Sequence, residues 1–258
     1  LHRRRHSFPT RRSSDLTLTT TGATDVQLRM GTLGAVNLGV NAKFNAATTG
    51  DSYVTGPVTL AATSTSAGWQ AVYNSSLTIN GNITGGTALA PTTIAEAITR
   101  TSGVSALSSI TNGAGLMVFG GTANLFTGGL VLQGGTTKVM PNGGSALVNP
   151  LAAANNLTFN AANGWASNPS APYFDQLFVL DNAKTTGSLS QTLGALNVGT
   201  ANIAGTLLLN NSTGSNLELV FTGGTNMVRL VEHGWFEASL ALAITAFTRS
   251  AAMRSCAS

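Results

Sequence analysis

Leu116-Met117-Val118-Phe119-Gly120-Gly121-Thr122-Ala123-Asn124-Leu125-Phe126-Thr127-Gly128-Gly129-Leu130-Val131-Leu132-Gln133-Gly134-Gly135-Thr136-Thr137-Lys138-Val139 is the stretch that decides how this chain is read. Its apolar runs, 116–119 and 130–132, have the length of strands and stop at glycine pairs or Asn/Thr clusters. The same grammar extends in both directions. Apolar runs at 35–40, 77–83, 157–159, 177–180, 207–209 and 217–221 are each bounded by Gly, Asn or Thr, and several alternate with small polar residues at period two. Asn80-Gly81, Gly85-Gly86, Asn112-Gly113, Asn142-Gly143 and Asn163-Gly164 read as turns between them. An all-β core of many short strands is predicted.

Two segments break the pattern. In 91–100, Ile94 and Ile98 stand at i, i+4 behind threonine caps, which predicts one or two helical turns. Residues 150–154 are a weaker candidate of the same kind. There is also internal repetition: Thr32-Leu33-Gly34-Ala35-Val36-Asn37-Leu38-Gly39 returns as Thr192-Leu193-Gly194-Ala195-Leu196-Asn197-Val198-Gly199, with only Val/Leu exchanges. Repeats of this size imply stacked units, each burying its apolar face against its neighbours.

Composition narrows the chemistry. Only 9% of the 258 residues are charged, against roughly 25% in an ordinary soluble domain. From Thr17 to Asn226 there is no histidine and no cysteine. The charges there are Arg29, Lys43, Arg100, Lys138 and Lys184 against Asp25, Asp51, Glu96, Asp175, Asp181 and Glu218, so five minus six leaves −1. The formal +4 of the whole chain therefore comes from its ends, with Arg3, Arg4, Arg5, Arg11 and Arg12 foremost. A neutral core gives no footprint for nucleic acid.

The ends read as foreign to the core. Residues 6–16, His-Ser-Phe-Pro-Thr-Arg-Arg-Ser-Ser-Asp-Leu, resemble the translation of a sequencing-library adapter. Residues 1–16 are accordingly expected to be an assembly artefact, extended, exposed and without packing into the core. The native start is then expected to be missing, and the lack of a signal peptide carries no information about export. Residues 227–258 form an atypical tail, poor in Gly and Asn and holding His233 and Cys256. Three readings stay open for it: an out-of-frame end, a terminal helix over 237–247, or a membrane anchor. The apolar run of eleven residues falls short of the ~20 that a spanning helix needs. A single cysteine forms no internal disulfide.

Residues 116–139 resemble the autotransporter-associated β-strand repeat, a pattern close to L-x-L-x-G-x-N-x-Y/F-x-G-G-x-x-h-x-x-G-x-L. Asn124, Phe126, Gly128, Gly129 and Gly134 fill its signature positions. An extra residue or two around 120–123, and Thr137 or Lys138 where leucine is expected, depart from it. Residues 77–86 and 188–214 look like the strands and rungs that accompany such units. The resemblance implies an irregular right-handed parallel β-helix over 17–226, with non-native or poorly ordered ends. It implies glycine corners at positive φ, an Asn124 that tolerates a corner and bonds neighbouring backbone, and a Phe126 stacked inside. It further implies a stalk or adhesion scaffold on the extracellular or outer-membrane surface of a Gram-negative-type bacterium. Contact with the membrane would come only through an anchor or barrel missing from this chain, and the partner would be an unidentified surface or glycan ligand.

Enzyme chemistry finds few candidates. There is no Walker loop, no Gly-x-Gly-x-x-Gly and no Gly-Gly-x-Gly-x-Asp repeat, so no cofactor, no metal and no catalytic residue is assigned. Glycan-cleaving β-helices use carboxylate pairs within about 5–10 Å. Asp175 and Asp181 bracket an apolar strand, whose ~20 Å length holds them apart. Trp69, Tyr73, Trp165 and Tyr173 are candidates for a sugar-stacking platform, though such residues more often cover a groove. The rival functions are a β-helical polysaccharide-degrading enzyme and a phage or coat fibre protein.

Overall fold

The computed structural model describes residues 16–21, 25–28, 31–40, 42–46, 50–61, 66–71, 75–85, 93–96, 115–132, 135–159, 176–198, 204–223, 228–232 and 238–245. Among these, every regular element is a strand. The chain makes three strands per pass: β1 (Thr17–Thr19), β2 (Asp25–Leu28) and β3 (Gly31–Leu33), then β4 (Ala35–Leu38), β5 (Lys43–Ala46) and β6 (Gly50–Val54). The next two passes are β7 (Val58–Leu60), β8 (Ser66–Ala71), β9 (Ser75–Ile79), and β10 (Ile83–Thr84), β11 (Thr93–Glu96), β12 (Leu116–Phe119). Beyond them come β13 (Leu130–Leu132), β14 (Gly135–Val139), β15 (Leu147–Val148), β16 (Leu157–Phe159) and β17 (Gln176–Asp181). The long β18 (Leu189–Val198), β19 (Ala204–Asn211), β20 (Leu217–Gly223), β21 (Val228–Glu232) and β22 (Ala238–Thr245) complete the order.

These strands lie in three sheets, which the chain visits in rotation through β12; from β13 onward the described strands fall in the second and third only. The first runs β1-β4-β7-β10; the second β2-β5-β8-β11-β13-β16-β18-β20-β21, with β15 beside β18; the third β3-β6-β9-β12-β14-β17-β19-β22. Every pairing among β1 to β20 is parallel, and only β20–β21 and β19–β22 are antiparallel. Residues paired in parallel are 18 (Thr17 and Ala35) to 42 (Leu147 and Leu189) positions apart. That range explains why no strict period is visible in the sequence.

Parallel register stacks like on like. In the third sheet Leu33, Val54, Ile79, Phe119, Val139, Leu180, Leu209 and Leu240 form one column, one residue from each strand. Val54 to Leu209 are all buried in the core. The eight strands make seven steps of about 4.8 Å, a stack about 34 Å long. Alternation supplies the inward face: in β20, Leu217, Leu219 and Phe221 are buried while Glu218 and Val220 are half-buried. At about 25 cal/mol per Å² of apolar surface removed from water, this column stabilises the stack together with the rest of the buried apolar core.

Three expectations are corrected. Residues 93–96, read as helical, form β11, held between β8 and β13. Among 150–154 no helix forms; Leu151 makes an isolated parallel bridge to Asn124. Residues 238–245, within the tail segment read as a possible helix, form β22 along the full length of β19. Asn80-Gly81 and Asn142-Gly143 lie between strands as read, β9 and β10 for the first and β14 and β15 for the second; positive φ falls on Gly31, Gly50, Gly85, Gly129, Gly214 and, alone among described non-glycines, Asn149. The adapter-like residues 1–15 lie outside the described residues, and Leu16 is exposed.

The repeated octapeptide spans a change of strand partners in both copies. Its first copy passes from β3 through Gly34 into β4, and its second spans Gly194 inside β18. There β18 leaves its β20 partners and takes up β16.

Candidate functional site

The signature segment folds as a corner where the first sheet narrows to single contacts. Asn124 is 1% exposed, and its amide takes the place of strand pairing. Ile83 N–H donates to Asn124 Oδ1 at 2.9 Å, while Nδ2 donates to Pro150 O at 2.9 Å and Gly121 O at 3.3 Å. Its backbone N–H also bonds Pro150 O, and Leu125 N–H bonds Ile83 O. Asn124 thus joins three passes of the chain. Its φ is not positive, so the expectation of backbone bonding holds and that of a left-handed corner does not.

Phe126 is fully buried, with its ring 6.4 Å from that of Phe119 at a tilt of 45°, a favoured aromatic arrangement. Gly129 takes φ 106°, whereas Gly128 does not take a positive φ. Gly134 lies outside the described residues. The structure therefore brings Asn124, Phe126 and Gly129 into one corner, each in a structural role.

Further amides continue the device, and sequence reasoning missed them. Asn155 Oδ1 accepts from Gly129 N–H at 2.8 Å and its Nδ2 donates to Phe126 O at 2.8 Å. Gln191 occupies an inward position between Leu189 and Leu193, fully buried. Its Oε1 accepts from Leu151 N–H at 2.9 Å and its Nε2 donates to Leu151 O at 3.0 Å, so one side chain pairs as a strand would. Asn149, at φ 54°, accepts Thr192 N–H through Oδ1 at 2.7 Å. The one legible signal was Gln191, a large polar residue at an apolar position of a period-two run.

The charged cluster lies on the third sheet. Asp181 is 2% exposed, and its Oδ2 accepts from Lys138 Nζ at 3.0 Å and Asn210 Nδ2 at 2.9 Å. Oδ1 accepts from Ala183 N–H at 2.8 Å, a local bond that turns the chain at the end of β17. Asn182 beside it is buried, bonding Asn211 and Ser212 N–H. This cluster ties β14, β17 and β19 together.

Asp175, Tyr73, Trp165 and Tyr173 lie outside the described residues, and of Trp69 only the backbone, in β8, is described. Neither the carboxylate pair nor the aromatic platform is assembled from described side chains. Asp51, half the chain away from Asp181, is exposed and accepts from Ser76 Oγ at 2.6 Å. Among the described residues no group of three or more His, Cys, Asp or Glu could hold a metal, and no helix is long and apolar enough to cross a membrane. No family model, no curated protein and no solved structure matches the chain.

Proposed function

We propose that the chain is a passenger-type part of an exported bacterial surface protein, a non-catalytic stalk or adhesion scaffold built as a right-handed parallel β-helix. The observation that carries this reading is the parallel stacking of β1 to β20, through three sheets as far as β12 and two beyond it, with an apolar column along the third sheet. Parallel crossovers within a sheet are right-handed in about 98% of cases, which supports the handedness. The resemblance of residues 116–139 to the autotransporter-associated repeat supports the assignment to an exported surface protein. The partner is an unidentified surface or glycan ligand rather than nucleic acid, since the charge between Thr17 and Asn226 is nearly balanced. The use of Asn124, Asn155, Gln191 and Asp181 as structural ties favours a scaffold over a polysaccharide-degrading enzyme.

The test joins the chain to an export signal and a membrane-embedded barrel in a Gram-negative host. The chain is expected outside intact cells, where added protease removes it. Retention inside cells that carry an inserted barrel refutes the reading. Release of reducing ends from polysaccharides, abolished by Asp181→Asn, would replace it with the enzyme.

A further inference from the structure

We propose that Asn142 is a site of spontaneous conversion to aspartate and isoaspartate, and that the fold protects Asn80, which carries the same Asn-Gly sequence. Asn142 and residues 144–146 are exposed in the segment between β14 and β15, and Gly143 is half-buried. The Asn142 backbone is held by its N–H to Gly120 O at 2.8 Å. Its side-chain amide makes no hydrogen bond to the described residues, nor does the Gly143 N–H. The carboxamide is free to swing onto the nitrogen that follows it, and Gly143 has no β-carbon to obstruct the approach.

The chemistry balances with water alone. Hydroxide removes the proton from the Gly143 amide nitrogen, which attacks Asn142 Cγ. An N–C bond forms, the Cγ–Nδ2 bond breaks, and ammonia departs with a proton from water. Water then opens the five-membered imide at either carbonyl, giving aspartate or, with the backbone rerouted through the side chain, isoaspartate. Each event changes the formal charge by one, from +4 to +3.

Asn80-Gly81 is closed to the same path. Gly81 sits so tightly over Gly56 that a β-carbon there would collide with the Gly56 carbonyl, and Gly81 O in turn lies under Gly121. Asn80 is held by its N–H to Val54 O at 2.8 Å, and its Oδ1 is buried against Gly120. Turning this carboxamide onto Gly81 N requires the passes above and below to separate.

The experiment incubates the whole chain at mildly alkaline pH, native and in denaturant, with peptide mapping of the exchange of NH₂ for OH at each asparagine. Each site's native rate is divided by its own denatured rate, which removes the effect of the preceding Ile79 or Pro141. Asn142 is expected to keep a ratio near one. Asn80 is expected to fall at least about tenfold below it, a difference of about 1.4 kcal/mol in barrier. Equal ratios, or conversion at Asn142 slowed as much as at Asn80, overturn the proposal. Asn142→Gln, which lengthens the ring to be closed, is expected to abolish the native conversion in the peptide carrying residue 142, read apart from those of Asn112-Gly113 and Asn163-Gly164; undiminished conversion at residue 142 in that variant also overturns it.

Discussion

Asn124→Ala is expected to destabilise the protein by about 2–4 kcal/mol, because a buried polar group stripped of its partner costs about 1–3 kcal/mol. The substitution orphans the buried Ile83 N–H and takes one bond from Gly121 O. Pro150 O keeps the backbone N–H of residue 124 and loses less. Asn82→Ala is the internal control. Asn82 Oδ1 accepts from the exposed Ala123 N–H at 3.0 Å, where water can take its place, so its loss should stay under about 1 kcal/mol. Urea unfolding followed by circular dichroism reads both, since a stability change moves the midpoint while leaving the slope unchanged. Equal midpoints for the two variants, or an Asn124→Ala midpoint within error of the unsubstituted chain, would refute the idea that side-chain amides carry this corner.

Gly81→Ala should cost about 2–3 kcal/mol or prevent folding through collision with the Gly56 carbonyl, whereas Gly144→Ala, into open space, should change thermal stability by less than about 0.5 kcal/mol. Gln191→Leu keeps an apolar volume but leaves Leu151 N–H and C=O unpaired; hydrogen exchange at Leu151, slow in the parent, should become fast, and unchanged protection would count against the strand-mimic role. Phe126→Ala should cost about 3–5 kcal/mol in chemical denaturation, while Leu125→Ala, at an exposed position, should be nearly neutral.

Strands were legible where side chains alternate, because burial of one face needs only local information; 217–221 reads as β20 directly. Legibility failed where helical propensity and tertiary pairing disagree. Ile94 and Ile98 with Ala95, Glu96 and Ala97 favour a helix locally, yet residues 93–96 are paired on both sides, and such context overrides propensity. In 238–245 the alanines concealed a period-two run of Leu240, Leu242 and Ile244. The corner was half legible. Asn124, Phe126 and Gly129 could be named from their motif, but the partners of Asn124 lie 41 and 26 residues away, and Gln191 reaches back 40. Such contacts depend on coil lengths that no local pattern encodes. The charged cluster was hidden similarly: Lys138 and Asp181 are 43 residues apart.

The two antiparallel strands at the end of the array have a consequence for growth. A parallel ladder offers each newcomer a template, and its free edge is equally open to a strand from another molecule. Where β21 and β22 reverse direction, the second and third sheets end on strands whose hydrogen-bonding rhythm matches a parallel arrival poorly. Among the described strands, the reversal gives the two ends of the array different edges: one repeats the parallel pattern and the other changes the pattern to be copied.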